Sequence, residues 1–363
     1  MSKIIAVVGA TGTQGGSVAR TFAKIPGWEV RGITRNPDAP AARKLEALGV
    51  KVVKGDLGDV DSLKSAFQDA SAIFGVTDFW QFVQQPSTQE LAKSKGITWN
   101  EACYLQELEH GKNIIDAASQ VVANGKLERL VLSTLSDAKK ASKGKYTWVY
   151  HFDAKARFVQ YLEEKAQEDQ PYKLLHEKTS YVQIGNYLDN WMKNPIFTPQ
   201  KVQAFEIWDI NSDSTNEQQE SDGTFAFRYI TSGSAAVETN HPTPFVHPPH
   251  DTGLFVEGLI LKAPPRTTML GTCSLMLFSD YVALWGKLNN VQTKLLPITL
   301  EEIAAMFPGG FGLEVGETVC YINEFGWDGG EGAVLPEQAG VDKAALTDVA
   351  SYIRETDWSS VLA

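Results

Sequence analysis

The feature that most constrains this chain lies at its start: Ile4-Ile-Ala-Val-Val-Gly9-Ala-Thr-Gly12-Thr-Gln-Gly15-Gly16. An uncharged apolar run followed at once by a glycine-rich turn reads as a buried strand leading into a helix. Gly9 permits the tight turn and Gly12 lets the backbone come close to a pyrophosphate. Gly15 lets the helix lie against the strand with its N-terminal amides facing the phosphates. Such a start is expected to build a parallel sheet that binds a dinucleotide at the turn, with Thr11 and Gln14 joining the three glycines as contacts.

The first half repeats the alternation. Strands are expected at Ile4–Val8, Glu29–Ile33, Lys51–Lys54, Ala72–Val76 and Leu130–Leu132, and helices from near Thr13, Ala39, Asp59 and Tyr104. This is an α/β pattern, a Rossmann-type doubly wound parallel sheet. The stretch Asp78–Glu101, rich in Trp, Phe and Gln, reads as a long functional loop. After Gly185 the alternation becomes irregular. Residues 209–223 are polar enough for a flexible surface loop, and helices are expected over Thr252–Leu261, Thr299–Met306 and Lys343–Thr356. The division expected is 1–184 for the dinucleotide domain and 185–363 for a smaller α+β substrate domain, parts of which can return to the first.

Composition removes several function classes. A formal net charge of −11 over 363 residues, with no basic cluster, disfavours direct nucleic-acid binding. No apolar run reaches membrane length. Three widely spaced cysteines suggest neither a disulfide framework nor a zinc site, so a cytoplasmic location is expected. His241, His247 and His250 crowd a proline-rich stretch, but a rigid loop followed by a helix capped by Asp251 accounts for them without metal.

The second strand ends Gly32-Ile33-Thr34-Arg35-Asn36. An NAD site usually has an acidic residue here to hold the ribose hydroxyls, whereas a guanidinium engages a 2′-phosphate, so NADP(H) is the expected cofactor. Asp56 and Leu57 lie just beyond the third strand, and Asp56 either meets the adenine edge or caps the next helix. Thr77 and Asp78 end the fourth strand and pass near the nicotinamide or its ribose. Trp80, Phe82, Tyr187 and Trp191 either wall a large apolar substrate pocket or belong to the core.

Together GATGTQGG, Thr34-Arg-Asn-Pro37, Gly55-Asp-Leu57 and His151-Phe-Asp-Ala-Lys155 resemble the NmrA-like family of atypical short-chain dehydrogenases over most of the chain. The resemblance implies a cofactor cleft between a Rossmann domain and a smaller C-terminal domain. It spans chemistries from NADP(H)-sensing regulators to reductases and redox-assisted cyclases. It also implies that Tyr181–Asn190, including Tyr181 and Gly185, closes over the nicotinamide ring.

His151 and Lys155 are four apart in a helical stretch and so share a face. Short-chain dehydrogenases pair a tyrosine with a lysine at this spacing. The resemblance therefore gives Lys155 the nicotinamide ribose and puts His151 where the tyrosine proton donor stands; His151 either donates the proton or packs at the helix start. Ser133, after the fifth strand, stands where the same enzymes place a catalytic serine, or else satisfies backbone in a turn. Two functions follow: an NADP(H)-dependent oxidoreductase acting on a bulky apolar substrate such as a natural-product intermediate, or an NADP(H) redox sensor that relays its state to a protein partner.

Overall fold

The computed structural model describes residues 2–193, 196–202, 223–231, 241–307 and 309–363. Its first half alternates as expected: β1 (Lys3–Val8), α1 (Thr13–Phe22), β2 (Trp28–Thr34), α2 (Pro40–Glu46), β3 (Lys51–Lys54), α3 (Val60–Phe67) and β4 (Ala72–Gly75). Asp59 starts α3 by accepting the N–H groups of Asp61 and Ser62 at 3.1 and 3.2 Å.

The expected long loop after β4 is not a loop. It forms a 3-10 turn (Trp80–Phe82), then α4 (Pro86–Lys95), and then α5 (Trp99–Val122), which begins at Trp99 rather than near Tyr104. The physical reasons are local. Pro86 opens α4, Gly96 closes it in the left-handed region at φ 64°, and Thr98 caps α5 by accepting the Glu101 N–H at 3.2 Å. A polar helix bounded by proline and glycine looks like loop when only apolar periodicity is followed.

Next come β5 (Arg129–Thr134), α6 (Ala138–Ala141), α7 (Tyr150–Glu168), α8 (Gln170–Glu177) and β6 (Thr179–Ile184). The second half contributes β7 (Asn186–Tyr187), α9 (Asn190–Lys193), β8 (Gln200–Lys201), β9 (Phe225–Thr231), β10 (Thr243–Val246) and α10 (Pro248–Leu261). It continues with β11 (Thr268–Gly271), β12 (Ser274–Met276), α11 (Phe278–Asn289), β13 (Thr293–Thr299), α12 (Leu300–Met306), α13 (Phe311–Phe325), α14 (Val349–Glu355) and α15 (Ser359–Leu362).

The central sheet has seven parallel strands in the order β11-β6-β5-β4-β1-β2-β3, two more than the five expected. β11 returns from the second half to complete it. Strand order reverses between β1 and β4, which places a crevice at the carboxyl edge there. Alternation along β1 explains the two covering layers: Ile5 and Val7 face α1 and α10, whereas Ala6 and Val8 face the layer containing α5. Two three-stranded sheets, β12-β10-β7 and β13-β9-β8, accompany the second half.

Asp251 does not cap α10, as the sequence suggested. The helix begins at Pro248, and the fully buried Asp251 carboxylate reaches back to the His247 N–H at 2.8 Å and across to the N–H and hydroxyl of Thr347, both at 2.9 Å. The helix expected over Lys343–Thr356 is split into a 3-10 turn (Lys343–Ala345) and α14, because Asp348 caps a new start through the Ser351 N–H at 2.8 Å. Of the expected polar loop 209–223, residues 209–222 lie outside the described residues. Among the described residues no helix is long and apolar enough to cross a membrane.

α10 lies directly on α1. Ser17 Oγ accepts the Gly253 N–H at 2.9 Å and donates to the His250 carbonyl at 3.1 Å, while Arg20 donates to the Pro249 carbonyl at 2.9 Å. A Cβ at Gly253 would stand 2.7 Å from the Ser17 carbonyl oxygen and collide with Thr21. Gly253→Ala is therefore expected to lower unfolding stability by about 1–3 kcal/mol in urea titration, as overpacking of a close helix contact does.

Candidate functional site

The turn after β1 has the geometry its glycines permit. Gly9 sits at φ 62°, the Gly12 N–H donates to the Gly9 carbonyl at 2.8 Å, and a Cβ at Gly15 would lie 2.6 Å from the Val8 carbonyl oxygen. Thr11 and Gly12 are exposed at the sheet edge. Gln14 turns to Tyr187: its Nε2 donates to the Tyr187 hydroxyl at 2.7 Å, and its Oε1 is buried without a partner among the described residues.

Arg35, just past β2, is exposed, and its guanidinium makes no hydrogen bond among the described residues. Its charge and that of Asp56 both act on His110 of α5, so the three stand at one end of the crevice; burial is the largest influence on His110 and lowers its pKa. Asp59, not Asp56, caps α3, and Asp56 instead accepts the Gly58 N–H at 2.9 Å. Leu57 turns its side chain to the core, and its carbonyl accepts from Asn113 Nδ2 at 2.8 Å.

Past β4 the chain meets α5 and α7. Thr77 is buried, and its hydroxyl donates to Glu107 Oε1 at 2.7 Å. Lys155 Nζ donates to the Thr77 hydroxyl at 2.9 Å and carbonyl at 3.3 Å, and forms an ion pair with Glu107. Glu107 is fully buried, and its Oε2 has no hydrogen-bond partner among the described residues. Asp78 is exposed, its Oδ1 accepting the Trp80 N–H at 3.0 Å.

One turn before Lys155, His151 lies against Trp80, with ring centroids 5.0 Å apart. Its Nδ1 is 2.6 Å from Oε1 of Glu314, which also accepts the His151 backbone N–H at 2.9 Å. Trp80 is 41% exposed and packs edge-on against Phe311, so an aromatic rim surrounds the imidazole. Tyr150 points to Tyr104 and Trp148 instead.

Several expected site residues are placed elsewhere. Ser133 is buried within β5 at 1% exposure, paired in register with Val182; the nearby Ser136 is held by the Tyr321 hydroxyl at 2.9 Å and the Trp327 carbonyl at 2.7 Å. Tyr181 faces the α7–α8 side of the sheet, among apolar residues, because strand alternation turns it away from the crevice; burial raises its pKa. Gly185 is explained by packing, since a Cβ there would collide with the Pro244 carbonyl oxygen. Phe82 is buried with Phe79 and Cys103, against His110, and does not line an open wall. Trp191 stacks on Trp358 at 4.2 Å in the second-half core, and Tyr187 joins it around a cavity of only about 30 Å³. Of the four aromatic residues expected to wall a pocket, Trp80 stands exposed at the crevice and Tyr187 reaches its edge through the Gln14 hydrogen bond, whereas Phe82 and Trp191 belong to cores.

The three histidines of the proline-rich stretch go separate ways: His241 to the Glu324 carbonyl, His247 against the Tyr352 ring and His250 to Asp251. Among the described residues no group of three or more His, Cys, Asp or Glu is arranged to hold a metal.

Sequence reading missed Glu107, Asn100, His110 and Glu314. A signal existed for the acids, because Glu107 shares the buried face of α5 with Cys103 and Gly111, and Glu314 that of α13 with Val315 and Tyr321. A carboxylate on an apolar helix face is rarely buried without a partner.

The reversed strand order and the open glycine turn at its crevice define a Rossmann-type fold. The NmrA-like family model matches residues 1–353, and the chain belongs to that family. It is 37% identical over 145 residues, 40% of this chain and 38% of the relative, to the NmrA-like family domain-containing oxidoreductase FrzB of a Cladobotryum species. Against oxidoreductase lnbB of Aspergillus flavus it is 29% identical over 262 residues, 72% of this chain and 65% of the relative. The chain thus spans between 38% and 65% of the length of the first four curated relatives it matches. The crystal structure of NmrA, a negative transcriptional regulator, in complex with NADP shares the fold with a TM-score of 0.64 and 21% identity over 99% of this chain and 97% of that one. The NADPH complex of quinone oxidoreductase QOR2 from Escherichia coli follows at 0.61 and 15%, covering 96% and 98%.

Two stability effects follow from the buried charges. Lys155→Met leaves the buried Glu107 carboxyl without its counter-ion and is expected to cost about 3–5 kcal/mol in urea unfolding, whereas Lys155→Met with Glu107→Leu recovers most of it. Burial pushes the Asp153 carboxyl from its ordinary 3.8 up to about 7, while its Oδ1 accepts the Lys139 N–H at 3.1 Å. The folded chain holds this proton more tightly than the unfolded chain. Its stabilising contribution is present below about pH 4 and lost as pH rises through about 7. The stability of the native protein relative to Asp153→Asn is therefore expected to decline across that interval and then level off, read by urea titrations at several pH values.

Proposed function

We propose that this protein binds NADP(H) along the carboxyl edge of its sheet and reduces a carbonyl group of a bulky apolar organic substrate. The observation that carries this reading is a juxtaposition. An open glycine turn, an uncommitted guanidinium and an imidazole under an exposed indole all stand along one sheet edge. The residues present fit the cofactor. The cradle at Gly9–Gly15 has no room for a Cβ at Gly15, and the α1 amides behind it suit a pyrophosphate. Arg35, with no hydrogen bond among the described residues, suits a 2′-phosphate, and Asp56 and His110 stand beside it at the adenosine end.

Bound NADPH would supply hydride at the nicotinamide end. There Thr77 and Lys155 form the floor, and the Lys155 ammonium, whose three donors meet Glu107 and two atoms of Thr77, would turn one of them from the weaker 3.3 Å bond to the Thr77 carbonyl toward the nicotinamide ribose. His151 supplies the proton, while Trp80 and Phe311 offer ring faces to a planar apolar substrate. The oxidoreductase names of the relatives, and the NADP and NADPH held by the two structural neighbours, support this reading.

A second reading, an NADP(H)-sensing regulatory protein with a protein partner, is favoured by one observation: Glu107 neutralises the very lysine that short-chain dehydrogenases use to activate their donor. Such a sensor would distinguish NADP+ from NADPH without consuming either.

Arg35→Ala tests the cofactor assignment. Calorimetric titration is expected to show NADP(H) affinity falling by about 10-fold or more, the value of a charge-assisted hydrogen bond to phosphate, with NAD(H) affinity little changed. Equal loss for both cofactors would contradict the phosphate contact.

A further inference from the structure

We propose that Glu314 is the positioning residue that makes His151 the proton donor, holding Nδ1 of the ring and leaving Nε2 to the substrate. This rests on the reductase reading above and adds to it a residue from the opposite end of the chain.

Glu314 stands in the first turn of α13 and is fully buried. An isolated carboxylate in that place would carry a large desolvation penalty, so its partners define its purpose. Oε1 accepts the His151 backbone N–H at 2.9 Å and faces ring Nδ1 at 2.6 Å, and Oε2 accepts Asn100 Nδ2 at 3.0 Å. The helix start adds a favourable field for the negative charge. Both oxygens act as acceptors, so Nδ1 carries a hydrogen and the neutral ring is the Nδ1–H tautomer. Among the described residues Nε2 makes no hydrogen bond, and it is not sealed from solvent; the His151 side chain is 14% exposed beside Trp80.

This is the arrangement in which a carboxylate fixes the tautomer and direction of an imidazole and stabilises its charged form. A structural role alone would need only the backbone and Asn100 contacts. The second bond, from the same Oε1 to the ring, is the one that selects which nitrogen reacts.

The step balances. Hydride from bound NADPH would add to the carbonyl carbon, the π pair would move to oxygen, and that oxygen would take the Nε2 proton of the imidazolium form of His151, leaving the neutral Nδ1–H ring. The C=O double bond becomes a C–O single bond, NADPH is oxidised to NADP+, and neutral His151 regains its proton from solvent while Glu314 keeps its charge.

The test has two readouts. The first is nitrogen NMR of histidine-labelled native protein at a pH where the ring is neutral, with His151→Gln identifying the resonance. The Nδ1–H tautomer is expected, and an Nε2–H tautomer would overturn the inference whatever the turnover. The second is NADPH oxidation with phenanthrenequinone as the probe. Glu314→Gln, which keeps size and hydrogen-bonding atoms, is expected to lower kcat about 100-fold, the scale of general acid catalysis, with KM for the quinone changed less than about threefold. Unchanged kcat in a folded Glu314→Gln protein would also overturn it. Native protein that shows the Nδ1–H tautomer and binds NADPH but reduces no quinone would instead contradict the reductase reading, while the hold of Glu314 on the ring would stand.

Discussion

Everything at the carboxyl edge of the sheet depends on how closely α1 lies against the end of β1. A side chain at residue 15 would run into the Val8 and Gly9 carbonyl groups, so the glycine there sets the distance between helix and strand. That distance aims the α1 amides over the crevice where strand order reverses. It also fixes the outer surface of α1, on which α10 docks through Ser17 and Gly253. The second half is thereby anchored to the cofactor turn by packing, and the Gln14–Tyr187 hydrogen bond ties the two again nearer the mouth.

A second constraint acts from the other layer. α7 presents His151 and Lys155 on one face, and each meets a carboxylate that has no exposed surface: Glu314 from α13 and Glu107 from α5. Buried acids are tolerated where donors converge on them, so these pairs fix the position of α7 against both neighbours. The two pairs differ in what they leave over. Lys155 is shared among Glu107 and two atoms of Thr77, whereas His151, among the described residues, keeps a ring nitrogen unbonded beside an exposed indole. A largely neutralised lysine beside an oriented histidine is the contrast on which the proposed proton donation by His151 rests.

Much of the first half was legible because its signals are local. The glycine spacing and the β-branched strands each act within a few residues, and the β3 range Lys51–Lys54 coincides with the expected one, although the cap of α3 is Asp59 and not Asp56. The segment after β4 misled because α4 is a polar helix whose boundaries are set by Pro86 and Gly96 rather than by an apolar stripe. Tyr181, Phe82 and Trp191 were misplaced for another reason. An aromatic residue beside a motif can face either side of a strand or helix, and only the tertiary layers decide which side holds the core. Glu314 lies 163 positions from His151, and no spacing rule reaches that far. Its burial on an apolar helix face was the one hint in the sequence.

The most direct measurement of the central claim is amide hydrogen exchange of the native protein with and without saturating NADPH. Slowed exchange confined to the segments around Gly9–Gly15, Thr34–Arg35 and Thr77–Trp80, with the β6–α8 side unchanged, is the expected result for a dinucleotide lying along the carboxyl edge of the sheet. No protection, or protection centred away from the glycine turn, would contradict it.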